Sequence, residues 1–184
     1  MNWIEQIKNY RPTSVEEKKD RELILSYIEK NDNLLVRDNL LMHFTSSALV
    51  LNETRDATLM VFHNQFQAWS WPGGHVDADP DFLSVALREV REETGAKNLR
   101  PIFEQIASLR MLAIEGHWKK GAYVPAHLHL SVGYLVEGNS KDELHHKEDE
   151  NKAVRWIPLS ELDRLCHEEH MKVVYRHMLQ KLDL

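Results

Sequence analysis

Cysteine is almost absent: Cys166 is the single one in 184 residues. One thiol excludes a disulfide within the chain and any cysteine-built zinc site, and it suits a reducing compartment. Long apolar runs are missing too. No stretch reaches the ~18 residues of a membrane-spanning helix. The start, MNWIEQIKNYRP, breaks up its apolar residues with Glu, Gln and Lys, unlike a signal peptide. A cytoplasmic protein with no membrane partner is expected. Positive charge is not in excess either. A formal net charge of -6 argues against a nucleic-acid polymer as partner, since such a partner calls for a basic patch. A small phosphorylated ligand stays open, because a bound cation can supply the missing charge. Glycine and proline number only 7 and 6, so the run Pro72-Gly73-Gly74 stands out.

What is present is an ordinary globular texture, with 42% apolar residues, enough for a sizeable core. Residues 2–9 form a short helix that stops near Arg11-Pro12. A second helix, capped by Thr13 or Ser14, runs to about Glu29 with Leu23, Ile24, Tyr27 and Ile28 at helical spacing. Residues 34–44 are a connector. SSALVLN (46–52) and ATLMVFHN (57–64) are strands joined by a turn at ETRD. AWSWPGGHV (68–76) is a strand running into a loop, 80–94 a helix, and 102–115 strand-like. HLHLSVGYLVEG (127–138) alternates as a strand does, 139–151 is a polar loop, and AVRWIPL (153–159) is a further strand. Helices follow at 159–166 and 169–182. With no linker-like segment and no internal repeat, the chain is expected to be one mixed α/β (α+β) domain, 44–184, carrying a helical N-terminal extension, 1–43. That extension either caps the domain or meets a second subunit.

The helix at 80–94 carries the chemistry. Asp79 can cap it, Pro80 suits its first position, and Gly95 stops it. On a helical wheel Leu83, Ala86, Leu87, Val90 and Thr94 fall within about 100° of arc, a core-facing stripe. Arg88, Glu89, Glu92 and Glu93 fall on the other side. Glu89 and Glu93 are an i,i+4 like-charge pair, costing a few tenths of a kcal/mol on an exposed helix. The Arg88–Glu92 spacing offsets part of that. A solvated, salt-bridged face would explain this string by itself. The Gly-Gly loop just before it adds a second signal. Glycine lets backbone carbonyls come close to a site, and carbonyls and carboxylates are hard donors suited to Mg²⁺ or Mn²⁺.

Taken together, these residues resemble the Nudix box, G-x5-E-x7-R-E-U-x-E-E-x-G-U with U apolar. Gly74 is its first glycine, and Arg88-Glu89-Val90-Arg91-Glu92-Glu93-Thr94-Gly95-Ala96 is its end. Eight of nine specified positions fit. The flanks WSWPGGH, HLHLSVGYLV and DENKAVRWIPLSEL fit more loosely. The departure is Pro80, where the box has a glutamate that partners the arginine; Asp81 or Asp77 is expected to substitute. The resemblance implies a mixed sheet sandwiched between helices and Mg²⁺- or Mn²⁺-dependent hydrolysis of a nucleoside diphosphate linked to another group. It also implies metal ligation by Glu89, Glu92, Glu93 and the Gly73 carbonyl, with Arg88 holding the glutamates. A carboxylate from the later loop is implied as well: Glu150 is favoured, with Glu148 and Asp149 as competitors. Homodimers are common in this fold. ADP-ribose-like compounds, dinucleotides and nucleoside triphosphates remain as substrates.

Other residues have two readings each. His127 and His129 share a strand face; with His145-His146 they suggest a metal site, or they line the substrate pocket. Trp71, alternating with Trp69, either stacks on a base or packs in the core. Lys119-Lys120 meet phosphates or are solvated. Cys166 is a packing residue. Two rival functions stand beside the hydrolase. One is a catalytically weak nucleotide-binding module of the same fold. The other is an isoprenyl-diphosphate isomerase, for which Cys166 lies too far toward the C-terminus.

Overall fold

The computed structural model describes residues 2–65, 67–119 and 121–183. In chain order the elements are α1 (Trp3–Asn9), α2 (Val15–Ile28), β1 (Met42–Leu51), β2 (Ala57–His63), β3 (Ala68–Ser70) and β4 (Gly73–His75). Then come α3 (Phe82–Thr94), β5 (Leu99–Pro101), β6 (Ser108–Ile114), β7 (His117–Lys119) and β8 (Ala122–Val124). β9 (His127–Gly138), β10 (Asn151–Pro158), α4 (Leu159–Leu165), α5 (Glu169–Gln180) and a short 3₁₀ turn complete the chain. The mixed sheet between helices is the expected fold.

The main sheet runs β10-β2-β1-β9-β5, with β3 on β2, β4 on β1 and β6 on β9. At its centre β1 and β9 are parallel, paired from Met42–Leu128 to Leu51–Glu137; the remaining pairs are antiparallel. A central parallel pair is covered on both faces, and β1 is accordingly buried from His43 to its end. β1 therefore starts at Met42, four residues before the strand read from sequence. Met-His-Phe-Thr alternates, but over only four residues next to a connector, and pairing with β9 makes it strand.

Two layers of core flank the sheet. On one face Phe44, Ala48, Val50, Leu130, Val132 and Tyr134 meet Phe82, Val85, Ala86 and Val90 of α3, together with Ile7 and Ile24 of the N-terminal helices. On the other face Leu49, Leu51, Met60, Leu135 and Ile157 meet Met171, Val174, Tyr175 and Met178 of α5. Cys166 is fully buried in this second layer. Burial pushes its thiol up, as expected of a packing residue.

Both N-terminal helices are capped, the second by Ser14, one of the two residues expected. Asn2 accepts from the Ile4 amide at 3.0 Å and Ser14 from the Glu17 amide at 3.2 Å. Glu17 turns back to accept from the Thr13 amide at 2.8 Å. It also receives Lys181 at 3.3 Å, and Lys181 donates to the Ala107 carbonyl at 2.7 Å. Asp20 pairs with Arg110 of β6 at 2.7 Å. α2 is thus fastened to β6 and to the final 3₁₀ turn by charged hydrogen bonds as well as by apolar packing.

Candidate active site

The cap of α3 is Asp81, whose carboxylate accepts from the Ser84 amide at 3.1 Å and its hydroxyl at 2.8 Å. The helix therefore starts two residues later than the Asp79-Pro80 reading. Asp79 is free for another task. It pairs with Arg88 at 3.4 Å, and Arg88 also reaches Glu89 at 3.6 Å and Glu92 at 3.9 Å. The residue expected to replace the missing box glutamate was Asp81 or Asp77. Asp81 is committed to the cap, and Asp77 is held by Arg37 at 2.6 Å. Asp79 makes the contact, one residue before Pro80.

Arg88, Glu89, Glu92 and Glu93 of α3 do not share one solvated face. Arg88 and Glu92 are exposed, Glu89 is partly covered, and Glu93 is only 5% exposed. The covering element is β4. Its glycines pair with β1 as Gly73–Ser47 and Gly74–Ser46, while α3 packs over both strands. A Cβ on Gly74 would lie 2.5 Å from a Glu89 carboxylate oxygen, and one on Gly73 would overlap the Ser47 side chain. Gly73 is fixed by close approach to the Ser47 backbone, whereas a side chain at Gly74 would have to displace the Glu89 carboxylate. Gly95 is different: with φ at 75° it is the left-handed stop of α3, its amide bonded to the Arg91 carbonyl at 3.0 Å.

Glu93 is pushed up to about 8, first by burial and then by the charges of Glu89 and Glu150; the Asn151 amide and the Gly73 backbone pull the other way. Glu89 is raised by burial and by Glu92, with Arg88 opposing. Glu150 is carried by a turn in which its amide bonds to the Lys147 carbonyl at 3.0 Å, and its own carbonyl receives the Asn64 amide at 2.9 Å. Its carboxylate pairs with Lys147 at 3.1 Å. Of the three candidate carboxylates at 148–150, Glu150 lines the cavity described next, whereas Glu148 and Asp149 do not. Four carboxylates thus face Arg88 and Lys147, and the buried Glu93 is raised first by burial and then by Glu89 and Glu150. The donors are hard oxygens, so the residues fit a divalent cation of the Mg²⁺ type.

The four carboxylates and Lys147 line a cavity of about 890 Å³. Gly73, Gly74, Trp71, Lys119, His127 and His129 line it too. Trp71 is 8% exposed, meets Tyr175 edge-on at 5.6 Å, and donates its amide to the Tyr175 hydroxyl at 3.2 Å. It is a cavity wall anchored in the α5 core. Trp69 lies elsewhere, under the Arg155 guanidinium at 4.7 Å. Lys120 lies outside the described residues. His145 does not join His127 and His129: it sits against Gly95, its amide bonded to the Thr94 carbonyl at 3.0 Å. The imidazoles that do join them are His43, His75 and His117. Sequence reading missed these three. His43 sits in a stretch taken as connector, and His75 was read only as the residue after the glycines. Cys166 is not part of the cavity lining, which removes the feature an isomerase reading needs.

Fold and site define a class, and comparison with known proteins gives the same one. The NUDIX domain matches residues 42–178. The chain belongs to this family and is an enzyme of the Nudix pyrophosphohydrolase class. It is 31% identical over 122 residues to the rat bis(5'-nucleosyl)-tetraphosphatase (asymmetrical), covering 66% of this chain and 76% of the relative. It is 26% identical over 121 residues to an RNA pyrophosphohydrolase of Sphingopyxis alaskensis, covering 62% and 75%. Among solved structures, a binary complex of C. elegans Ap4A hydrolase superposes with a TM-score of 0.57 at 18% identity, over 76% of this chain and 97% of that one. A NUDIX hydrolase from Nitrosomonas europaea gives 0.56 at 15% identity, over 75% and 88%. These superpositions speak to the fold. Among the described residues no helix is long and apolar enough to cross a membrane.

Proposed function

We propose that the protein is a Mg²⁺- or Mn²⁺-dependent hydrolase that cleaves a phosphoanhydride bond in a small nucleotide, with dinucleoside polyphosphates as the favoured substrate class. The observation that carries the metal dependence is the packing of Glu89, Glu92, Glu93 and Glu150 on one wall with the buried Glu93 pushed up to about 8. Glu89, Glu92, Glu93 and the Gly73 carbonyl would hold the cation. When bound, it neutralises the diphosphate oxygens and makes water a better nucleophile. Arg88, anchored by Asp79, holds Glu89 and Glu92 in place. Glu150 is the group we assign to take the proton from the attacking water. Water adds to phosphorus, the phosphoanhydride P–O bond breaks, and the two nucleotide fragments leave as anions, the oxygen of water ending on the attacked phosphorus. Support for the substrate class comes from the named function of the rat relative and from a cavity of about 890 Å³, near the upper end of the ~300–1,000 Å³ range of ligand pockets. The net charge of -6 speaks for a small molecule over an RNA polymer. The same reading places the enzyme in the cytoplasm.

The test is product release over a panel of dinucleoside polyphosphates, nucleoside triphosphates and ADP-ribose-like diphosphates, with Mg²⁺, with Mn²⁺ and with chelator. Cation-dependent turnover, highest on the dinucleoside polyphosphates and lost in Glu92→Gln, is the expected result. Tight nucleotide binding with no turnover on any member would make the protein a binding module of this fold.

A further inference from the structure

At a different part of the cavity wall the donors are all nitrogen. The strand register brings them together. His43 of β1 is the direct partner of His129 on β9. His127, two residues before His129, points to the same face. Thr45, two residues after His43, is the partner of His75 on β4. Three neighbouring strands therefore present imidazoles on one face. The ring centroids of His43 lie 4.9 Å from His75, 4.9 Å from His127 and 5.2 Å from His129, and those of His75 and His129 lie 5.1 Å apart.

We propose that His43, His75 and His129 form a binding site for one divalent transition-metal ion of the Zn²⁺ class, separate from the carboxylate site, with His127 beside it. One ring nitrogen from each of the three lies within 4.8 Å of the others. A tetrahedral ion with bonds of ~2.0–2.1 Å spaces its donors by roughly 3.3 Å, so small ring rotations close the set. His43 is already oriented as a ligand. Its Nδ1 sits 3.0 Å from the Asn39 carbonyl, which can only accept, so Nδ1 carries the proton and Nε2 holds the lone pair. That Nε2 is buried with no hydrogen-bond partner, in a residue 5% exposed. A carbonyl behind the imidazole is the arrangement that fixes metal-ligating histidines. An unpartnered buried nitrogen is otherwise a cost. The Pro125 carbonyl, 2.8 Å from His127 Nδ1, likewise leaves His127 Nε2 as an acceptor, 3.1 Å from His129 Nε2.

The chemistry selects the ion. His43 and His127 each present Nε2 as a lone pair, because the Nδ1 of each faces a backbone carbonyl. The carboxylate that acts on His43 and His75, Asp77, is engaged by Arg37 at 2.6 Å. Neutral imidazole suits Zn²⁺, Co²⁺ or Ni²⁺ and is a poor donor set for Mg²⁺. The two metal sites therefore take different ions, although both line one cavity.

The experiment uses the full chain without a histidine tag, freed of metal with chelator and then titrated with Co²⁺, with Zn²⁺ in competition. Thermal melts check that every variant is folded. The expected result is one equivalent of Co²⁺ with an intense tetrahedral visible band, displaced by Zn²⁺. The band persists in the Glu92→Gln/Glu93→Gln variant, and affinity falls by more than the ~10–100-fold typical of losing an orienting residue in both His75→Gln and His129→Gln. Because His43 is deeply buried, the other two histidines carry the test. Absence of the band in the parent protein, its survival in both histidine variants, or its loss in the glutamate variant alone would overturn the proposal. The readout involves no turnover, so its failure leaves the hydrolase reading standing.

Discussion

The carboxylate wall and the imidazole wall of the cavity answer burial in opposite directions. Burial disfavours the charged form of either group, so Glu93 moves up and His75 and His129 move down. The results differ in kind. A carboxylate kept from ionising by burial, and further by its like-charged neighbours, releases its proton when a cation binds. An imidazole kept neutral is already a ligand. One wall is therefore suited to a hard ion beside a diphosphate, and the other to a borderline metal held by lone pairs.

The largest expected effect that separates the walls is on catalysis. Glu150→Gln removes the group assigned to take the proton and should lower kcat by ~10²–10⁴-fold, while Co²⁺ uptake at the histidines is unchanged. Steady-state kinetics beside a Co²⁺ titration measures both. Next comes Gly74→Ala. The added methyl would crowd the Glu89 carboxylate. A displacement of about 1 Å in a reacting site costs ~10²-fold in rate, so kcat should fall by that order while the thermal melt shows a folded protein.

A smaller effect appears in stability against pH in metal-free protein. For Glu93 the folded value is above the unfolded one, so folding is penalised as pH rises from about 4.5 through 8. For His75 and His129 the folded values are below the unfolded one, so stability is lost as pH falls below about 6.5. Denaturant unfolding should thus show greatest stability near pH 6–7, with an alkaline limb no steeper than ~1.4 kcal/mol per pH unit for a single group. Glu93→Gln should flatten that limb and leave the acid limb in place. An alkaline limb that persists in Glu93→Gln would contradict the assignment. The smallest effect is at Asp79→Asn. Its partly exposed pair with Arg88 is worth under ~1 kcal/mol of stability, so the melt should barely move and kcat should drop by no more than about tenfold. A larger kinetic loss would mean that Asp79 does more than anchor Arg88.

How much of this was legible beforehand follows from how each feature is encoded. The carboxylate site is written almost contiguously, from Gly73 to Ala96, and helical spacing alone gathers its glutamates. The wheel could not show that β4 lies over Glu93, so it placed a buried residue on an outward face. The start of α3 was misread because Asp79, Pro80 and Asp81 are all good first-turn residues. Hydrogen bonding to Ser84 chose Asp81 and released Asp79 for Arg88. The imidazole site is written across three separate strands. His43, His75 and His129 become neighbours only once β1 is known to pair in parallel with β9 and antiparallel with β4. Sequence adjacency instead pointed to His145-His146, of which His145 lies against the end of α3.

The central claim is that the crowded glutamates exist to hold a divalent cation. Calorimetric titration of Mg²⁺ into the parent protein and into Glu92→Gln/Glu93→Gln tests it most directly. The account predicts saturable binding to the parent and its loss in the double variant. Equal binding by the two proteins, or none by the parent, would contradict it.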